Sequence, residues 1–335
     1  MARAVVVSGY AGTTGTRQIG IVMSDGLILF GRRLPPLPVV SSLPDWQQAE
    51  PRWIEGALNT ALERSGGGWF VVDDRRRFSA KPRRYVVNGH VLVFWQGSNG
   101  LLAAPDACPH MGASLAGGCV RHGRLICPWH GMELDDKPRG SWRPLPVYDD
   151  GVLVWVRIDD AGEAPAEAPV LPARPGRYID AVVRLEARCR PEDLLANRLD
   201  PWHGTHYHPH TFRSLRVVER LDDEITVRVS FAVVGRLAVE VDARFHCPDP
   251  RTIVMTIVAG DGTGSVVETH ATPIDALRCA VIEATLATSD RPQFRHAVRF
   301  ARWVRPWLER RAQRLWVEDV AYAERRRELA NLAHL

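Results

Sequence analysis

Two cysteines and two histidines in the first half of the chain have the spacing of a metal site. One residue separates Cys108 from His110, two residues separate Cys127 from His130, and sixteen residues lie between the pairs. Zinc modules usually place about two to four residues between paired ligands, so zinc fits this spacing poorly. Each pair mixes a thiolate with an imidazole, so the set could give one iron two cysteines and another iron two histidines.

A second group of ligand-type residues lies within residues 197–210. This stretch contains Asp200 and four histidines, His203, His206, His208 and His210. Two histidines and one carboxylate on one face can hold a mononuclear non-haem iron(II) and leave positions open for O₂ and substrate. Clustered histidines are typical of metal sites. The stretch therefore predicts an iron site, in which His206 competes with the other histidines for a ligand position.

Both groups resemble parts of one known family. The two cysteine–histidine loops resemble the Rieske [2Fe–2S] module, in which two histidines replace two cysteines on one iron. The order Asp-x-x-His-x-x-x-x-His at residues 200–208 resembles the iron segment of Rieske non-haem iron oxygenases. The respiratory-complex version of the module has a disulfide between its loops. The matching positions here are Ala113 and Trp129, so we expect the oxygenase or ferredoxin type.

The resemblance implies a role for each of these residues. The ligands of the cluster would be Cys108, His110, Cys127 and His130. His203 and His208 match the two histidine ligands of the iron, with His206 as an alternative to the second. Asp200 matches the acid that links the iron site to a cluster histidine of a neighbouring subunit, for which His130 is the expected partner. Asn197 matches a polar position of the same segment.

The third iron ligand should be a carboxylate on a C-terminal helix. Asp319 is the best candidate, and the pair Glu318-Asp319 resembles the family at this place. Asp319 shares a helix face with Trp316 and Ala323, so it can point inward. Glu318 lies about 100° away around the helix and is the alternative ligand.

Turn signals and apolar periodicity divide the chain into three parts. Short strand-like runs, separated by turns such as Asn88-Gly89, predict a β-rich domain over residues 66–160, which the resemblance implies is the Rieske domain. An Ala- and Pro-rich linker follows, and alternating runs ending in a long helix predict a second domain over residues 177–335, which the resemblance implies is the catalytic iron domain. The resemblance implies an α+β fold, a small antiparallel β domain followed by an antiparallel sheet that grips the C-terminal helix. Residues 1–65 would be an accessory subdomain or a substrate cap.

The two centres together imply the terminal component of an oxygenase system. Cofactors would be a [2Fe–2S] cluster and Fe(II), and a monooxygenase is favoured over a dihydroxylating dioxygenase. Hydroxylation, demethylation and desaturation of a small hydrophobic substrate are all possible at such an iron. Because there is no Gly-rich dinucleotide fingerprint and no flavin motif, electrons would come from a separate ferredoxin or reductase. The resemblance implies a homotrimer. The alternatives are a redox or ligand-binding protein without turnover and a zinc-dependent binding module.

Composition limits the partners and the cellular location that we expect for the protein. The net charge of +4 over 335 residues does not suggest nucleic-acid binding, and we find no apolar run long enough to span a membrane. Without a recognisable signal peptide, a cytoplasmic location is expected. From Arg291 onward there are 11 arginines and 5 acidic residues, which could dock an acidic partner or an anionic membrane surface. The four cysteines outside the motif, Cys119, Cys189, Cys247 and Cys279, are expected to be buried free thiols.

Overall fold

The computed structural model describes residues 5–7, 20–22, 28–29, 34–35, 44–79, 81–234 and 237–333. Most of the region before residue 44 therefore lies outside the described residues. The elements in this N-terminal part are β1 (Val5–Val7), β2 (Gly20–Val22), β3 (Ile28–Leu29), α1 (Asp45–Gln48) and α2 (Pro51–Leu62). Helix α2 buries Ile54, Ala57, Leu58 and Ala61, whose helical spacing forms one apolar face.

Residues 69–157 form three small antiparallel sheets. Their strands are β4 (Trp69–Asp74), β5 (Arg83–Val87), β6 (His90–Gln96), β7 (Leu101–Pro105), β8 (Cys119–Arg121), β9 (Arg124–Ile126), β10 (Glu133–Leu134), β11 (Val147–Asp149) and β12 (Leu153–Arg157). The sheet orders are β5-β6-β7, β10-β9-β8 and β11-β12-β4. Asn88 and Gly89 have φ values of 48° and 81° and join β5 to β6, as expected for a type I′ hairpin turn.

The second half of the chain forms a large sheet with helices packed on it. Its strands are β13 (Ile179–Ala187), β14 (Phe212–Arg220), β15 (Glu224–Val234), β16 (Leu237–Asp249), β17 (Thr252–Gly260), β18 (Val266–Pro273) and β19 (Cys279–Ala287). The path β16-β17-β18-β19-β13 is antiparallel, and β15 extends it from β16. Strand β3 joins the edge at β16 in parallel, so the N-terminal strands continue this sheet.

Four helices belong to this half of the chain. They are α3 (Pro191–Leu199), α4 (His203–Tyr207), α5 (Phe294–Arg299) and α6 (Ala301–Ala333). Helix α6 buries Trp316 and Ala323 in a core shared with α2, α3 and the sheet. None of the described helices is long and apolar enough to cross a membrane. The expected α+β fold, with small antiparallel sheets followed by a large antiparallel sheet and a long C-terminal helix, is confirmed.

Several elements were not expected from the sequence pattern. Strand β14 is mostly half-exposed and lacks a clear apolar alternation, and the sequence pattern predicts no helix in the stretches that form α2 and α3. Cys119 is exposed, contrary to expectation, because it lies on β8, an edge strand of its small sheet. Cys189, Cys247 and Cys279 are buried free thiols as expected. The domain boundaries at residues 65, 160 and 177 stay predictions.

Arg174 ties the segment between β12 and β13 to both halves of the chain. Its guanidinium donates to Glu268 of β18 at 2.5 and 2.7 Å and lies 2.9 Å from Asp150, which follows β11. The Glu268 and Asp150 side chains are 0% and 2% exposed. Burial raises the pKa of both carboxyls, but hydrogen bonding and charge from Arg174 outweigh it, so both pKa values fall. The network is a buried ion cluster that stabilises the junction.

Replacing Arg174 with alanine leaves two buried carboxylates without their cation. We expect the free energy of unfolding to fall by about 3–5 kcal/mol at neutral pH, measured by urea denaturation. Above the unfolded-state pKa of these carboxyls, about 4, the contribution of the pair is complete. As the pH falls through their lower folded-state pKa values, the carboxylates are protonated and the contribution is lost. The gap between wild type and Arg174→Ala should therefore narrow below about pH 4.

The control for this variant is Arg278→Ala. Arg278 forms an exposed ion pair with Asp275 at 2.7 Å, so its loss should change stability little. If Arg174→Ala were no more destabilising than Arg278→Ala, or if its effect did not depend on pH, the stabilising role of the buried Arg174 ion cluster would be wrong.

Candidate metal centres

The two cysteine–histidine loops have the same backbone shape. In each loop the cysteine N–H donates to the carbonyl five residues on, which is Ala113 for Cys108 and Met132 for Cys127. The cysteine carbonyl in turn accepts from a glycine four residues on, Gly112 or Gly131. These glycines have φ values of 77° and 69°, which favour a residue without a Cβ. The two loops therefore share one backbone turn, although the spacing of cysteine and histidine differs between them by one residue.

In both loops the cysteine is buried and the histidine is exposed. Cys108 and Cys127 are 4% and 3% exposed. His110 and His130 are exposed, with their ring centroids 4.9 Å apart. Two thiols on the inside and two adjacent imidazoles on the outside match the donor set of a Rieske cluster, with two cysteines on one iron and two histidines on the other.

Backbone N–H groups surround the ligand sulfurs. Burial raises the pKa of the Cys108 thiol, and the N–H groups of His110 and Met111 oppose this rise. At Cys127 burial also raises the pKa, but the Trp129 N–H, the Cys108 thiol and the His130 N–H outweigh it, so the pKa falls. Such hydrogen bonds stabilise anionic sulfur and tune the reduction potential of an iron–sulfur cluster.

Three ligand-type side chains converge where α4 meets α6. His203 Nε2 lies 3.2 Å and His208 Nε2 lies 2.7 Å from Asp319 Oδ1. The three ligand atoms are all within 4.8 Å of one another, and His208 and Asp319 are buried. Two imidazoles and one carboxylate on one side form the donor set that non-haem iron(II) uses, with positions left for other ligands. The residues therefore fit a mononuclear iron.

The opposite nitrogens of both imidazoles are held by neighbouring groups. His203 Nδ1 is hydrogen-bonded to the backbone carbonyl of Asp200, and His208 Nδ1 lies 2.5 Å from Glu318 Oε2. These contacts favour the tautomer that carries a proton on Nδ1, which leaves Nε2 free to bind a metal. Asn197 Nδ2 also donates to Asp319 Oδ1, at 3.3 Å, and so helps to fix the position of this oxygen.

Charge at the site is arranged around the Asp319 carboxylate. Burial raises the pKa of Asp319, but its contacts with the His203 and His208 rings hold it well below its usual range. Burial lowers the pKa of His208, and its contacts with Asp319 and Glu318 raise it above its ordinary value. The carboxylate is therefore ionised and suited to a cation.

Asp200 lies at the edge of this centre. Its Oδ2 accepts from the Tyr322 hydroxyl at 3.1 Å, and the Tyr322 ring lies 5.1 Å from that of His203. Its Oδ1 is buried and has no hydrogen-bond partner among the described residues. A buried acceptor of this kind needs a donor, and the described part of this chain does not supply one.

The other candidate iron ligands do not join the three converging residues. His206 is 71% exposed at its side chain and lies 2.9 Å from Asp45 of α1. His210 Nε2 lies 3.8 Å from Glu318. Glu318 contacts His208 on the side away from Asp319, so the structure gives it an orienting position. Sequence reasoning missed Tyr322, although its i+3 spacing from Asp319 places it one turn along the same face.

Glu318→Gln tests this orienting contact. A glutamine can still accept from His208 Nδ1 but carries no charge, so we expect iron(II) to bind about 10-fold more weakly, and about 100-fold more weakly in Glu318→Ala. The measurement is an anaerobic iron(II) titration that follows the mononuclear iron. Glu328→Gln, an exposed acid on the same helix, is the control. Unchanged affinity in both Glu318 variants would contradict the role.

Two family models match this chain, and together they cover most of it. The Rieske [2Fe-2S] domain family matches residues 68–152, and the family described as a domain of unknown function (DUF5914) matches residues 160–334. The dicamba O-demethylase oxygenase component of Stenotrophomonas maltophilia is 27% identical over 180 residues, which cover 48% of this chain and 52% of that protein. The vanillate O-demethylase oxygenase subunit of a Pseudomonas strain is 40% identical over 67 residues, 20% of this chain and 19% of that protein. The chain thus spans between about a fifth and about half of these relatives' length.

Solved structures share the fold at low sequence identity. Dicamba monooxygenase bound to dicamba has a TM-score of 0.58 and 21% identity, with 80% of this chain and 89% of that chain covered. NdmB of Pseudomonas putida CBB5 has a TM-score of 0.53 and 19% identity, with 79% and 84% covered. Dicamba monooxygenase and NdmB share the fold of this chain, and the family match shows that the chain contains a Rieske [2Fe-2S] domain. The chain belongs to the DUF5914 family, whose match covers just over half of it.

Proposed function

We propose that this chain is the terminal oxygenase component of a Rieske monooxygenase system. The observation that carries the proposal is the convergence of His203, His208 and Asp319 in a chain that also has a Rieske domain. An electron carrier needs the cluster but has no use for a second centre with this donor set. The alternative, a redox or ligand-binding protein without turnover, leaves that second centre unexplained.

Each polar side chain at the iron centre has a defined task in this proposal. When bound, the iron supplies O₂ chemistry and the cluster supplies single electrons. His203, His208 and Asp319 hold the iron, while Glu318 and the Asp200 carbonyl keep the imidazoles oriented. Burial of His208 and Asp319 excludes bulk water from their side of the centre.

We propose that Asp200 connects two chains. Its partnerless Oδ1 can accept a hydrogen bond from an imidazole N–H, and exposed His130 of a neighbouring chain is the proposed donor. This contact would complete the site between subunits and supports the homotrimer that the resemblance implies. Electrons would reach the cluster from a separate ferredoxin or reductase, and the proposed location is cytoplasmic. The relatives are themselves named as oxygenase components or subunits.

The substrate is proposed to be small and apolar. The Phe212 ring lies 6.4 Å from that of His208 and is only half-buried. It belongs to an apolar group on the sheet that includes half-buried Leu215, Phe231 and Ile257. Apolar side chains that remain partly exposed beside a metal centre are suited to a hydrophobic ligand. Relatives are named for demethylation of dicamba and vanillate and for desaturation of cholesterol, and we propose chemistry of this range here.

Oxygen consumption with product analysis tests the proposal. Iron-loaded protein, a generic ferredoxin and reductase with NADH, and a library of small hydrophobic compounds are incubated, and products are read by mass. The proposal expects substrate-dependent O₂ uptake and a product changed by oxygen addition, loss of a methyl group or loss of two hydrogens. Reduction and reoxidation of the cluster without any product across the library, in protein that holds the second iron, would favour the redox-protein alternative.

A further inference from the structure

Three aromatic side chains near the start of α6 are exposed to solvent. Phe300, Trp303 and Trp307 are 60%, 69% and 41% exposed. Trp303 and Trp307 are four residues apart and lie on one side of α6, and Phe300 immediately precedes that helix. Large aromatic side chains are seldom left in water in this number on one face. We call these three side chains the aromatic stripe, and we expect a binding partner to cover it.

The opposite side of the same helix is fixed to the rest of the protein. Arg305 Nη2 lies 2.6 Å from Asp180 of β13, and Glu309 Oε1 lies 3.1 Å from Arg76, which follows β4. At about 100° per residue, Trp303 and Trp307 lie roughly 160–200° around the helix from Arg305. The ion pairs therefore hold the helix so that its aromatic side faces outward.

The outward side is also strongly basic. Residues 295–314 contain seven arginines and a single acidic residue, Glu309. Five of the arginines are exposed, and these are Arg295, Arg299, Arg302, Arg310 and Arg314. Arg302 lies over the Trp303 ring at 5.2 Å. Because Glu309 points to Arg76, the outer side combines aromatic rings with positive charge only.

We propose that this face, residues 295–314, docks onto an anionic lipid surface. Helices with aromatic residues and exposed arginines bind at the boundary of headgroups and acyl chains, and Trp is enriched there. Each basic residue near an anionic bilayer contributes to binding, so the charge matches lipid headgroups. The inference concerns binding alone and does not depend on the oxygenase activity.

The size and shape of the face favour lipid over a protein partner. The stripe is about 10 Å long, and its three rings expose on the order of 300 Å². A stable protein interface takes about 800 Å² from each partner. The rings project from a convex helix, which suits a deformable phase. A second copy of the chain is therefore the outcome that the experiment must separate from lipid.

Vesicle co-sedimentation of the full-length holoprotein tests the proposal. We expect binding to phosphatidylcholine vesicles that contain phosphatidylglycerol, and little binding to phosphatidylcholine alone. Trp303→Ala should weaken binding about 10-fold, and Arg299→Glu with Arg302→Glu should abolish it at moderate salt. Arg325→Gln, an exposed arginine farther along α6, is the matched control and should bind as wild type. An unchanged circular dichroism spectrum and melting temperature show that each variant is folded.

Three results would overturn the proposal. The first is failure to bind at any phosphatidylglycerol content. The second is binding that is equal in wild type and Trp303→Ala. The third is a smaller mass of Trp303→Ala in size-exclusion chromatography with light scattering, which would assign the face to a second copy. None of these results requires turnover, so failure here leaves the proposed oxygenase function untouched.

Discussion

Asp319→Ala is expected to remove the mononuclear iron and to lower substrate-dependent O₂ consumption by more than about 100-fold. Removing an outer contact of a metal ligand alone costs about 10–100-fold, and Asp319 is the only carboxylate among the three converging residues. Its loss leaves His203 and His208 without the negative charge that balances a divalent cation. The visible spectrum of the cluster should remain, because the Asp319 side chain has no contact with the cysteine–histidine loops.

The matched control is Glu328→Gln on the same helix. Glu328 lies on the exposed surface, where it pairs with Arg325, and its change should affect neither centre. Iron is counted in both variants beside acid-labile sulfide. If Asp319→Ala kept both its iron and its activity, the third ligand would have to be sought elsewhere, with Glu318 as the nearest other carboxylate.

The second prediction is that Asp200→Ala keeps both metals but lowers turnover by about 100-fold. The backbone carbonyl of Asp200 holds His203, and alanine retains that carbonyl. The Asp200 carboxylate is 3.9 Å from His203 Nδ1 and is hydrogen-bonded to Tyr322. The change to alanine therefore removes the proposed contact with the neighbouring chain and leaves the three proposed iron ligands in place. An outer contact of this kind contributes about 10–100-fold. Turnover is measured with the donor system, and iron and sulfide are counted on the same sample.

Tyr322→Phe distinguishes the contribution of the Asp200 carboxylate from that of its hydrogen bond with Tyr322. The phenylalanine variant keeps Asp200 and removes only the hydroxyl at 3.1 Å, so a smaller loss of turnover is expected. Reduction of the cluster by dithionite should be normal in both variants. Normal turnover of Asp200→Ala would show that the link is not needed, and loss of iron from that variant would assign Asp200 a structural role instead.

The parts of the fold that depend on local signals were predictable. The hairpin at Asn88-Gly89 follows from two residues that tolerate positive φ, and the cluster loops follow from motifs closed by their own backbone hydrogen bonds. Trp316 and Ala323 mark the inward face of α6, and both are buried. The missed elements are those whose pattern is weak, since β14 is half-exposed and α3 has only nine residues.

The iron centre depends on contacts that no local pattern contains. Asp319 lies 111 positions from His208 along the chain, and it was found from the resemblance to a family and from its helix face, not from any local ligand motif. Glu318 was considered as an alternative ligand, but helix geometry alone could not predict that its side chain would reach the far nitrogen of His208. His206 looks equivalent to His208 in the sequence, yet the packing of α1 places Asp45 beside it. The ligand set remains a proposal that the iron measurements address.

The most direct test of the two-centre assignment is the ratio of iron to acid-labile sulfide in the full-length protein after anaerobic iron(II) loading. A Rieske cluster together with a mononuclear iron predicts about three iron and about two sulfide per chain, falling to about two and two in Asp319→Ala. A wild-type value of about two iron and two sulfide after loading, or zinc in place of the third iron, would contradict the assignment.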